Sequence, residues 1–321
     1  MLKEIRYAMR SLLQRPGFSL VAIMTLALGI GANTAIFSLV NTVLLRSMPV
    51  EHADQVFAMN MRRQDDSMSA LSYTNFIDFR DRNEVLSGLL VYRFVPLALS
   101  RSGGNERIWG YEVSGNYFDV LGVKALYGRT FLPEEDKTRL THPVVVLSYD
   151  GWQRRFNGDP SIVGKDILIN NNQFRVIGIT PKAFKGTEQV YEAELWVPAM
   201  MMGWVEPGSN SLDHRDDNNF FGVARLKPGI NAAQAEASLN ILAEQLAKEY
   251  PDDNEGQSIR LGPSGFIIPE LRGAVVSFTW VLMGAVALVL LVTCTNLAGL
   301  LLARATDRRR EIAIRLAMGA S

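Results

Sequence analysis

From Gly273 to Ala303 the chain carries no charged residue. At about 1.5 Å per residue, a helix of that length crosses a hydrocarbon core of about 30 Å with residues to spare. Within lipid every backbone N–H and C=O needs an internal partner, so such a run is committed to helix. A basic segment, ATDRRREIAIRLAMGAS (305–321), follows directly. Everything upstream is expected to supply what this helix lacks, namely a partner span and a folded domain across the membrane.

A second uncharged run extends from Pro16 to Leu45. A signal peptide cleaved near Ala32 would have a shorter apolar core than this. Ala27, Gly31 and Ala35 recur every four residues and give one face small enough for close helix packing; Thr295, Gly299 and Ala303 do the same in the later run. The competing reading is ordinary membrane-helix composition, in which glycine is common. Asn33, Asn41 and Asn296 are amides near membrane depth, expected to face another helix rather than lipid. Residues 1–16, with Leu2, Ile5, Met9, Leu12 and Leu13 set against Lys3, Arg6, Arg10 and Arg15, suit an amphipathic helix on the inner membrane surface.

Overall charge is zero, but its distribution is not even. Residues 1–45 hold four Lys/Arg and one Glu, and residues 273–321 hold five basic and two acidic residues, leaving 46–272 net negative. Basic flanks mark the cytoplasmic side of a span. Both ends are therefore expected in the cytoplasm and residues 47–271 outside it, between spans at 17–46 and 272–303. No basic stripe points to nucleic acid. The single cysteine, Cys294, falls inside the second run, so the intervening domain is held by its core without disulfides.

That domain reads as strands with a few helices. Ser72 or Thr74 is placed to cap a helix ending near Arg82. Residues 91–100 and 106–113 alternate as a strand pair, and 143–149 is an apolar strand leading into a helix from Asp150. DILINNNQFRVIGIT (166–180) forms a hairpin around an asparagine turn. Residues 194–198 and 219–226 are further strands. Asn231 and Gln234 make a capping box for a helix with Ala235, Leu239, Leu242 and Leu246 on its apolar stripe, ended by Pro251. Strands outnumber helices, which gives an α+β domain.

Motifs for catalysis are missing. The sequence contains no GxxxxGK[ST], no HExxH and no GxSxG. His52, His142 and His214 each stand alone. LDHRDDNN (212–219) offers oxygen ligands but lacks EF-hand spacing, so a solvated loop is preferred to a cation site. No catalytic, cofactor-binding or metal residue is assigned, and binding or transmission is expected rather than catalysis.

The tail is more informative. Ile312, Leu316 and Met318 are read as sharing a helical face, and Glu311 can pair with Arg315 one turn on. A stop-transfer anchor needs only the arginines; a helix docking on a cytosolic partner also accounts for the apolar face.

REIAIRLAMGAS (310–321) resembles the cytoplasmic coupling segment of the MacB/FtsX-like permeases of ABC transporters. TLALGIGANTAIFSLVNTVLLRSMP (25–49) is similar to their first span. VSGNYFDVLGVKALYGRTF (113–131), residues 144–184 and ARLKPGINAAQAEASL (224–239) resemble their periplasmic core domain, in order. The resemblance implies a porter-like α+β lobe, about 48–125 and 214–268, with an inserted mainly-β sabre-like lobe, about 126–213, between two transmembrane helices. It implies a coupling segment at 304–321 in which Arg310, Glu311, Ile312, Ile314, Arg315, Leu316 and Gly319 meet a separate ABC-type ATPase. ATP-driven motion would then pass through the spans to the periplasmic domain of an inner-membrane protein, in efflux or in lipid, lipoprotein or peptide handling. The other implied partners are a second permease half or a second copy of the chain, membrane lipid and a periplasmic adaptor. The family unit has four spans and this chain ends before the third, so the opening part of a permease is expected. The alternatives are a two-span sensor that binds a ligand outside, and a remnant that couples to nothing.

Overall fold

A computed structural model of the protein describes residues 16–40, 50–65, 67–101, 104–188, 192–263 and 269–318. It divides into two units, one of Met1–Leu45 with Leu271–Ser321 and one of Arg46–Glu270. The amphipathic segment expected at 1–15, together with Asn41 and Gly319, lies outside the described residues.

The helical unit contains α1 (Pro16–Val40), and its long second helix, Pro269–Ala317, is the last of the chain. Among the described residues one stretch is long and apolar enough to cross a membrane, Ser277–Asn296, with mean hydropathy 2.2. In α1 the apolar helical stretch Ile23–Ile36 is shorter than that. The boundary expected between span and tail near residue 303 does not appear, because the helix continues through the arginines to Ala317. No proline or glycine after Gly299 interrupts the backbone ladder before that point.

The other unit is built on one mixed sheet of eleven strands. In chain order these are β1 (Val56–Arg62), β2 (Met68–Ser69), β3 (Leu86–Arg101), β4 (Gly104–Val113), β5 (Tyr127–Gly128), β6 (Val144–Leu147), β7 (Asp166–Ile169), β8 (Asn172–Ile179), β9 (Leu195–Pro198), β10 (Phe221–Leu226) and β11 (Ser258–Pro263). The main path runs β11-β1-β10-β3-β4-β9-β6-β8-β5. Its first five strands are antiparallel neighbours. The remaining strands of the path join through a parallel pairing of β4 with β9.

One long strand pairs along its length with three others. Near its start β3 pairs with β10, from Leu86 to Tyr92, and near its end Leu99 and Ser100 pair with β7. Pro96 falls in the gap between these two pairings, where a missing N–H leaves no ladder bond unmade on that side.

Local chemistry explains the helices. In α2 (Tyr73–Arg82) the cap is Ser72, whose Oγ accepts from the Asn75 amide at 3.2 Å. Next comes α3 (Tyr117–Leu121). The helix expected from Asp150 starts one residue earlier, as α4 (Tyr149–Phe156), because Ser148 caps it through the Gly151 amide at 2.9 Å. Gly151 lies so close to the Glu194 carbonyl that a Cβ would stand 2.6 Å from it. After the short α5 (Met202–Val205), the reciprocal Asn231–Gln234 capping box opens α6 (Ala232–Glu249). Pro251 follows and begins α7 (Pro251–Asn254); the chain then returns through β11 to α8 (Pro269–Ala317).

Three cores result. On one face of the sheet, α2 and α6 bury Phe76, Phe79, Leu239 and Leu246 against Met59, Leu89 and Val91. The opposite face holds an aromatic cluster of Tyr92, Tyr111, Tyr117, Phe118 and Trp196. In the third core, Val95, Leu97 and Leu99 of β3 pack with Trp152, Phe174 and Val176. Each fully buried side chain of this kind contributes roughly 1.5–3 kcal/mol.

Candidate functional site

Arg309 and Arg310 are exposed on α8, and Ile312 and Ile314 are about half exposed (51% and 52%). Glu311, Arg315 and Leu316 belong to the same helix. At roughly 100° per residue, Ile312 and Ile314 lie on nearly opposite sides of the helix. Met318 does not join Ile312 as expected. Its amide bonds to the Ile314 carbonyl at 3.0 Å, which stacks it one turn after Ile314. The exposed apolar residues of the tail therefore form two edges of the helix, Ile312 on one and Ile314 with Met318 on the other.

Among the described residues, α1 and α8 approach closely at Gly29. A Cβ at Gly29 would stand 3.1 Å from Thr293 Oγ1, and Thr293 and Val286 are buried there. Asn33, one turn after Gly29 and partly buried, donates to the Gly29 carbonyl at 2.9 Å, and Thr293 donates to Val289 at 2.7 Å. Ala27, Gly31, Ala35, Thr295 and Gly299 are exposed instead, with no atom within 4 Å of a Cβ at Gly31 or Gly299. Ala27, Gly31 and Ala35 are offset by two residues from Gly29 and Asn33, which turns them about 200° away from the contact. Thr295 is offset from Thr293 in the same way. Asn296 is likewise exposed.

A polar seam that sequence reasoning did not anticipate runs through the α+β unit. It opens on a cleft of about 770 Å³ lined by Tyr73, Ile77, Arg80, Asp136, Arg139 and Met200, among others. Asp136 Oδ2 accepts from the Gly115 amide at 2.7 Å and from the Tyr73 hydroxyl at 3.1 Å. Burial pushes the Asp136 carboxyl up to about 6, against the pull of those two donors. Burial, then the Asp136 charge, holds Tyr73 well above the ordinary phenol range, so it remains a donor. Arg139 grips Asp213 through two hydrogen bonds. Arg215 pairs with Asp78 at 2.8 Å, bonds to Asn75 and lies 3.7 Å over the Tyr250 ring.

Elsewhere in the same unit, Arg93 on β3 faces Glu112 on β4 in register. Glu112 is fully buried and its Oε2 accepts from Arg93 Nε. The other end of the guanidinium reaches Glu206 at 2.7 Å, just after α5. Burial raises the Glu112 carboxyl to about 7, although Arg93 opposes the rise.

Within the oxygen-rich stretch 212–219, Asp213 and Arg215 take the partners just given and His214 bonds Asn210 at 2.8 Å, while Asp216 and Asn218 line a separate cleft with Asp65, Asp252 and Asp253. Among the described residues no group of three or more His, Cys, Asp or Glu side chains is placed to hold a metal ion.

Against known families, the MacB-like periplasmic core domain matches residues 19–242 of the chain. The chain belongs to this family. Macrolide export ATP-binding/permease proteins from Escherichia coli O157:H7 and from strain K12 are similar to it, each 28% identical over 240 residues and 72% of this chain. The MacB-type chain spans only about a third (32%) of the length of those relatives. A solved domain of a Porphyromonas gingivalis protein classed as a permease covers 70% of the chain and 98% of itself at 14% identity, with a TM-score of 0.51. The periplasmic region of MacB from Actinobacillus actinomycetemcomitans covers 70% and 93% at 15% identity, with a TM-score of 0.48. The first likeness is one of fold, and it agrees with the α+β sheet of this MacB-like core domain.

A signal for the Arg93–Glu112 pair was present in the MacB-like sequence. Val91, Arg93, Val95 and Leu97 alternate onto one buried face of β3, and Arg93 is the charge that breaks the pattern. A cation at an inward strand position needs a carboxylate opposite, and Glu112 is that residue.

Proposed function

We propose that this chain is part of a permease-type membrane subunit of an ABC transporter in the bacterial inner membrane, one that carries motion made by a separate ATPase to its periplasmic core domain. The observation that supports the reading most is the unbroken α8. It joins an apolar span to exposed Arg310, Ile312 and Ile314 without a hinge residue, so displacement of the tail would displace the span. Arg310, Glu311, Arg315 and the two apolar edges, with Leu316 and Gly319, would form the ATPase-contacting surface. Both ends of the chain would be cytoplasmic, and residues 47–271 periplasmic. Ala27, Gly31, Ala35, Thr295, Gly299 and Ala303 would pack on other spans, from a second permease half or a second copy of the chain. The relatives are named for macrolide export. For this chain, efflux and lipid, lipoprotein or peptide handling share the same mechanical scheme, with a periplasmic adaptor as a further partner.

The test is photo-crosslinking from a benzoylphenylalanine at position 312 in native membranes, with the product identified by mass spectrometry. A crosslink to an ABC-type ATPase is expected. An inserted chain that gives none would reject the coupling assignment.

A further inference from the structure

Residues 199–206, a helical segment ending in α5, are fastened to the rest of the domain at both ends. At the near end the Leu140 amide donates to the Met200 carbonyl at 3.1 Å. At the far end Glu206 is held by Arg93, which is itself held by Glu112. Between them, Asn170 and Asn172 in the β7–β8 turn donate to the carbonyls of Val205 and Trp204. The segment therefore links the inserted hairpin to the central sheet, and Arg93 is the charged member of that link.

We propose that Arg93 is a clasp between the central sheet and the segment ending at Glu206, and that acidification of the surrounding medium opens its inner half. The argument is one of charge in a buried place. Arg93 is almost fully buried, with Phe220 under its guanidinium at 5.7 Å. A desolvated cation needs its counter-charges close. Of the two it has, Glu112 is sealed from water and Glu206 is largely exposed. Among the described residues the charges acting on Glu112 are Arg93 from β3 and Glu206 from beyond α5, while β9 sets uncharged Val197 beside it. Glu112 Oε1 is buried and has no hydrogen-bond partner, which already favours a proton on that carboxyl. Once Glu112 is protonated, the inner counter-charge is gone. The guanidinium then follows Glu206 toward water, and the segment loosens from the sheet. The link stands on the domain itself and does not depend on the transport reading.

Hydrogen exchange of the full chain in detergent micelles, read as protection relative to the intrinsic rate, tests this. The reporting amides are Glu206, bonded to the Met202 carbonyl, and Ser209, bonded to the Glu206 carbonyl. From about pH 8 to about pH 5.5 their protection is expected to fall at least about threefold, while β1 amides hold theirs. Glu112→Gln should show the low value at both pH values. Glu206→Gln alters an exposed side chain, so the fold is retained, and it should also give low, pH-independent protection. Wild-type protection that does not change with pH, or Glu206→Gln retaining the wild-type values, would overturn the clasp.

Discussion

Asp136 shows how much one carboxyl decides at the cleft. Its folded-state pKa, about 6, lies above the ordinary value of 3.8 because burial disfavours the charge more than Gly115 and Tyr73 favour it. The proton is therefore bound more tightly in the folded state. Asp136 contributes stability that is fully present below about pH 4 and is lost as pH rises through about 6. Replacing it by Asn keeps an acceptor for both donors and removes the titration. Thermal melts of wild type and Asp136→Asn should show wild type gaining relative stability on acidification, by on the order of 3 kcal/mol across the window. An unchanging difference between the two proteins would contradict the burial argument. Neither Asp136 nor Tyr73 stood out in the sequence, since the contact between them spans 63 residues and arises only when α2 meets the turn before Lys137. Ser72, Asn231 and Gln234 were legible because caps act within four residues.

At the scale of elements, the helix pair separates what periodicity can and cannot say. A four-residue spacing of small residues identifies a face able to pack closely, not the helix that will occupy it. Gly29, not Gly31, lies against Thr293. In the purified chain, Gly29→Leu should overpack the contact and cost about 1–3 kcal/mol, while Gly31→Leu should leave the melting temperature unchanged. The reverse ranking would show that the helices meet on the other side. The β7–β8 hairpin was read correctly because Asn170 and Asn171 both tolerate the positive φ their turn requires, 49° and 65°. What the sequence did not reveal is that Asn170 also ties this turn to β3 and α5, through the Ala98 amide and the Val205 carbonyl.

For the whole molecule, charge asymmetry predicts an orientation that the fold can help test. Ser211 looks like a loop position but is buried, so a thiol there would be shielded by the domain itself. Ala237 is exposed on α6 and is the better site. With Cys294 replaced by Ser, Ala237→Cys should react with an impermeant thiol reagent in intact spheroplasts. Protection there, with reaction after lysis, would place the domain on the cytoplasmic side. The resemblance implies two lobes along the chain, but the single sheet that runs through residues 56–263 was not legible, because a strand's second partner leaves no local mark.

The shared strand has a mechanical consequence. Ten residue pairs join β3 to β4, and antiparallel bonds lie perpendicular to their strands. A pull along β3 therefore loads those bonds side by side, in shear, so that they yield together rather than one after another as in peeling. With one end of β3 stitched to β10 and the other to β7, the strand acts as a tie-rod through the domain, stiff along its length and compliant only where Pro96 leaves its flank unstitched.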